Sequence, residues 1–115
     1  MPPRSPQVEP FVGGLVLTLS GELDAYDAPT LRTAFAEAAA TAATDNGTVV
    51  LDLSAVTFLD STVLGTVVGL LRRVREHGGQ LRVVLPDTDA RRIFELTALE
   101  RSLDVYPSRS SAVGG

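Results

Sequence analysis

The stretch Thr48-Val49-Val50-Leu51-Asp52-Leu53, continuing through Ser54-Ala55-Val56-Thr57-Phe58-Leu59 to Asp60-Ser61-Thr62-Val63-Leu64-Gly65, decides the fold. Its first six residues form a nearly unbroken β-branched and aliphatic run, the pattern of a strand covered on both faces. At Asp60-Ser61 the run gives way to an apolar helical stretch, 62–77, which Gly78-Gly79 ends. A strand buried on both sides and followed directly by a helix is half of a parallel β-α-β unit.

Working outward, residues 81–85 (Leu-Arg-Val-Val-Leu) read as the next strand, stopped by Pro86. Asp87-Thr88 then caps a short helix carrying Ile93, Phe94 and Leu96, and Leu103-Asp104-Val105-Tyr106 reads as a last edge strand. Towards the start, Asp27 and Pro29 mark a helix whose apolar face is Leu31, Ala34, Phe35, Ala38 and Ala42. Before it, two β-type runs flank Gly13-Gly14, the second with leucine at every other position, which predicts a hairpin. The order is β-β-α-β-α-β-α-β. It implies one α/β domain over residues 8–107, with a mixed sheet of about five strands and helices packed on it. The proline-punctuated start, 1–7, and the small polar end, 108–115, read as flexible tails.

Composition narrows the chemistry. The 115 residues are 44% hydrophobic and 21% charged, as in an ordinary soluble domain. Fourteen acidic residues outnumber ten basic ones, which argues against nucleic-acid binding. Cysteine is absent, so disulfides, thiolate metal sites and cysteine catalysis are excluded. Every basic residue is arginine and His77 is the only histidine, so lysine chemistry is excluded and a serine triad has one candidate base. Ser61 and His77 lie sixteen residues apart on what reads as one helix, about 24 Å at 1.5 Å per residue, so no hydrolase pair forms. No secretory signal and no run of ~20 apolar residues is present, so a cytoplasmic location without membrane insertion is expected.

Three features remain. Asp60-Ser61-Thr62 stands at a helix start, where either Asp60 or Ser61 merely caps the helix, or the serine is a phosphoacceptor favoured by free N–H groups and the helix dipole. The helix after it carries Val63, Leu64, Val67, Val68, Leu70, Leu71 and Val74, an arc wider than one buried stripe. Either the whole arc is buried between sheet and neighbouring helix, or its first turn around Val63 and Leu64 docks a partner. Arg72, Arg73 and Arg75, with Arg91 and Arg92, make two small basic clusters; the first complements the helix dipole.

Several short motifs, in order and at suitable spacing, resemble those of STAS domains, specifically the bacterial anti-anti-sigma factors (anti-sigma factor antagonists). They are Gly21-Glu22-Leu23-Asp24, Val50-Leu51-Asp52-Leu53-Ser54-Ala55-Val56, Phe58-Leu59-Asp60-Ser61-Thr62 with Leu64-Gly65, Gly78-Gly79, and Phe94-Glu95-Leu96-Thr97-Ala98-Leu99. The resemblance implies a non-enzymatic partner switch. The unphosphorylated antagonist binds an anti-sigma factor that is also a serine kinase, releasing a sigma factor for transcription. Phosphorylation at the serine after the motif aspartate breaks the complex, and a phosphatase resets it. That serine corresponds to Ser61, with Thr62 as the alternative. The ATP belongs to the kinase, so this chain needs no cofactor or metal. Asp24 and Asp60 match acidic family positions, and the implied partner-binding set is Asp24, Asp27, Asp60, Thr62, Val63 and Leu64. Two departures stand out: Val63 replaces a common glycine, and no final helix is expected after Pro107. The valine slightly favours a second reading, a non-switched STAS scaffold in a signalling assembly or an accessory subunit of a lipid-transport ATPase.

Overall fold

From residue 7 to residue 84 the chain alternates strands and helices in the order that its hydrophobic periodicity predicts. The computed structural model describes residues 5–44, 47–85 and 104–114. In it β1 (Gln7–Phe11) and β2 (Gly14–Leu23) form the hairpin, followed by α1 (Ala28–Ala43) and β3 (Thr48–Leu59). Next come α2 (Ser61–Glu76), β4 (Gln80–Val84), β5 (Asp104–Tyr106) and a short α3 (Arg109–Gly114). The sheet order is β1-β2-β3-β4-β5, with β1 antiparallel to β2 and every other pair parallel. The helix expected after Asp87, its Phe94–Leu99 segment, and Arg91 and Arg92 lie outside the described residues.

Side-chain alternation along β3 explains why its first half is apolar but for Thr48 and Asp52. Val49, Leu51 and Leu53 join the large cluster under α1 and α2, with Leu17, Leu31, Phe35, Leu70 and Val83. Val50 points to the other face, where it meets Val16, Val84 and Ala112. Both faces of the strand base are therefore buried, as the run in residues 48–53 implies.

β3 is longer than its neighbour β4, which pairs only with Thr48–Asp52. Beyond that point β3 continues beside β2 as far as Leu23↔Leu59, with two register shifts. Gly21, at φ 78°, sits at the second shift and supplies a backbone conformation that side chains disfavour. This two-stranded extension carries the β2–α1 turn and the start of α2 to one end of the molecule.

The reading of 108–115 as a flexible tail, with no final helix, is corrected here: residues 109–114 are helical. Six small and polar residues hold little helix by themselves, so a local reading misses them. Tertiary contacts hold α3 in place. Arg109 Nε donates to Asp52 Oδ2 at 2.9 Å, its Nη1 reaches Glu9 Oε2 at 3.5 Å, and its Nη2 donates to Thr18 Oγ1. Arg82 Nη1 donates to the Ala112 carbonyl at 2.7 Å, and its guanidinium lies 5.7 Å above the Tyr106 ring. α3 thus closes the sheet face opposite α1 and α2.

Candidate functional site

Asp60 builds the site. It is the N-cap of α2, in extended backbone geometry, and its Oδ1 accepts from the Val63 N–H at 3.0 Å. Its Oδ2 accepts from the Ala25 N–H at 3.0 Å, and its own N–H donates to the Leu23 carbonyl at 3.2 Å. One carboxylate therefore ties the start of α2 to the β2–α1 turn, thirty-five residues away in sequence. Between the cap and phosphoacceptor readings of the Asp60-Ser61 pair, the cap role falls to Asp60. Ser61 becomes the first residue of α2 and is exposed, as is Thr62. The N–H groups of this first turn that Asp60 leaves unengaged have no intrahelical acceptor.

The β2–α1 turn is ordered by its own acids. Asp24 Oδ1 accepts from the Tyr26 N–H at 2.9 Å, and the Asp24 N–H donates to Asp27 Oδ2 at 3.0 Å. Asp24 is exposed and stands beside Ala25, so the Asp60 bond brings Asp24 to the Ser61 end of α2. Asp27 is different: it is 6% exposed and its carboxylate is turned inward. Its place in the expected docking set is corrected on that ground.

Val63 and Leu64 are corrected likewise, at 0% and 6% exposure. α2 packs against α1 on one side and against β3 and β4 below, so the wide apolar arc is consumed by two neighbours. Burial of the arc, apart from the half-buried Val68, is the reading that the structure supports. The apolar exposure at this end comes instead from Tyr26 (62%) and Phe58 (48%), one on the turn and one near the tip of β3. Sequence reading passed over both as site residues. The available signal was Thr57-Phe58 after Val56, where the alternation that buries the strand base ends.

Ser61 and His77 occupy the first residue and the C-cap of α2, with the helix between them. Arg73 and Arg75 lie in its last turn, where they complement the dipole. Among the described residues no three His, Cys, Asp or Glu side chains group as a metal site would require. None of the described helices is long and apolar enough to cross a membrane. The site is an exposed, hydrogen-bonded corner: a hydroxyl at a helix start, two carboxylates, and two exposed aromatic rings.

Comparisons with known proteins agree with this architecture. The chain is 32% identical over 97 residues to the anti-sigma-B factor antagonist of Bacillus subtilis (strain 168), covering 84% of this chain and 85% of that one. It is 26% identical to the anti-sigma F factor antagonist of Paenibacillus polymyxa, over 93% of this chain and 90% of the relative. The crystal structure of an anti-sigma factor antagonist from Mycobacterium paratuberculosis superposes with a TM-score of 0.84 at 31% identity, covering 96% of this chain and 91% of that one. The family model described as the STAS domain matches residues 4–112, and this chain belongs to that family.

Proposed function

We propose that this chain is an anti-sigma factor antagonist working as a cytoplasmic partner switch, and that Ser61 is its phosphoacceptor. The observation that carries the reading is the exposed Ser61 hydroxyl on the first turn of α2, held beside Asp24 and Asp60 and flanked by Tyr26 and Phe58. In the unphosphorylated state this corner docks an anti-sigma factor with serine kinase activity, which frees the sigma factor. Exposed aromatics next to polar groups suit such an interface. The kinase moves the γ-phosphoryl group of its own ATP to Ser61 Oγ, releasing ADP, and a phosphatase reverses the state.

Charge makes the switch. A phosphate adds roughly −1.5 to −2 units, which the isolated fold tolerates because the helix start offers N–H donors and a favourable dipole. At an interface the same charge must be desolvated beside Asp24 and Asp60, and binding is lost. The role of this chain is to be modified and bound, not to catalyse.

Val63 in place of glycine is the argument for a non-switched scaffold or transport subunit. Its side chain is buried, so it puts no bulk in the path of a docking kinase. The switched reading is therefore preferred. The test is binding to a purified anti-sigma factor kinase. Ser61→Asp should weaken the complex at least about tenfold, and Ser61→Ala should stay bound and unmodified. Tyr26→Ala should weaken binding while circular dichroism shows the chain still folded. Mass spectrometry that places phosphate on Thr62 would move the site by one residue. Unmodified chain after incubation with kinase and ATP would sink the proposal.

A further inference from the structure

An open groove of about 280 Å³ runs between α1 and α2. Phe35 and Leu70 form its apolar floor, Gly65 and Gly69 its α2 wall, and Arg32 and Arg73 carry its charge. A Cβ built on Gly65 or Gly69 meets no atom within 4 Å, so the missing side chains leave open surface that no neighbour fills. Arg32 and Arg73 are exposed and make no hydrogen bond or ion pair among the described residues. Among the described residues no carboxylate lines the groove, although acids outnumber bases fourteen to ten in the chain. It is a positive notch in an acidic molecule.

We propose that this groove docks an acidic helix of a partner protein. Small residues of that helix lie over Gly65 and Gly69, and its carboxylates meet Arg32 and Arg73. Charge complementarity selects the occupant, since two unneutralised guanidinium groups flank an apolar floor. Shape selects a helix over a small molecule. The groove is open, and its volume lies just under the roughly 300–1,000 Å³ usual for small-molecule sites. Glycines four apart, about 6 Å along the axis, let a second helix approach closer than the ordinary 8–10 Å. The groove reaches Thr62 and so is continuous with the Ser61 corner; the inference rests on the proposed function for its partner being a protein.

The probe is a synthetic, end-blocked helical peptide with glutamates flanking an alanine stripe, titrated into the isotope-labelled full chain and followed by amide NMR shifts. The control peptide carries lysine at each glutamate position. The acidic peptide should shift the amides around Arg32, Gly65, Gly69 and Arg73, and bind severalfold more weakly as salt rises from about 0.05 to 0.3 M. Gly69→Leu and Arg73→Glu should each weaken it about tenfold or more at unchanged melting temperature. Ser61→Asp should leave the peptide bound within about twofold while it breaks the anti-sigma factor complex, so the two readings fail separately. Equal binding of both peptides, shifts centred elsewhere, or binding retained in Gly69→Leu would overturn the proposal. So would shifts at the groove on raising the protein concentration alone, which would put a second copy there.

Discussion

Under α1 and α2 the sheet buries one continuous cluster of leucines, valines and Phe35, whereas on its opposite face Val16, Val50, Val84 and Ala112 share the space with Asp52, Arg82 and Arg109. The first face is held by apolar area, which is non-directional and forgiving of conservative change. The second depends on direction. Asp52 is 5% exposed, and its carboxylate is held by Arg109 Nε, the Ser54 N–H at 2.9 Å and the Ser54 hydroxyl. Burial alone would raise its carboxyl, but the bonds from Ser54 and Arg109, with the guanidinium charge, outweigh it and hold the group below its ordinary value. The two faces should fail differently.

The largest effect is expected on the apolar side. Val63→Glu puts a carboxylate where solvent does not reach, and should cost more than about 4 kcal/mol or unfold the chain outright. Circular dichroism on heating reads this directly. A melting temperature near that of the parent would mean that the first turn of α2 opens to solvent.

Next comes Arg109→Gln, which leaves the Asp52 charge with only Ser54 for support. A loss of about 2–3 kcal/mol in urea denaturation is expected, and adding Asp52→Asn should recover much of it. The pH dependence follows from the depressed Asp52 value. Its contribution is present above the unfolded carboxylate pKa and is lost as pH falls through the folded one. Arg109→Gln removes part of what depresses it, so the acid unfolding midpoint should move to higher pH. An unmoved midpoint would assign the acid sensitivity to other carboxylates.

The smallest effect lies at the half-buried Gly69 in the groove wall, where no buried contact or ion pair is at stake. Gly69→Ala places a methyl in open space and should gain about 0.5–1 kcal/mol from helix propensity alone. A loss instead would mean that the glycine backbone is already in contact with another part of the chain.

The fold was legible because its strongest signals are local. Residues 48–53 announce a strand covered twice, the hairpin signals sit at Gly13-Gly14, and Asp60 or Ser61 reads as a cap. What escaped depends on neighbours. Periodicity shows which residues of α2 are apolar, but not that α1 and the sheet together consume all of the arc except Val68, so Val63 and Leu64 read as available. Asp27 looked like part of an acidic surface until its turn folded the carboxylate inward. The tail hid its helix because Arg109 and Ala112 act through partners distant in sequence. One clue was in plain view: an aspartate inside a run buried on both faces demands a counter-charge. Composition supplies only arginine for that role, without saying which.

The Asp52–Arg109 pair spans 57 residues of chain, and this has a consequence for biosynthesis. At roughly 5–20 residues per second, Asp52 leaves the peptidyl-transferase centre about 3–11 s before its partner is made. Throughout that interval the central strand carries a carboxylate that cannot be buried with its charge matched. The nascent sheet must keep that face wet, or remain loosely assembled, until Arg109 appears. Synthesis of Arg109 is thus what lets this face close, and ribosome-stalled fragments ending before Arg109 should remain open to protease.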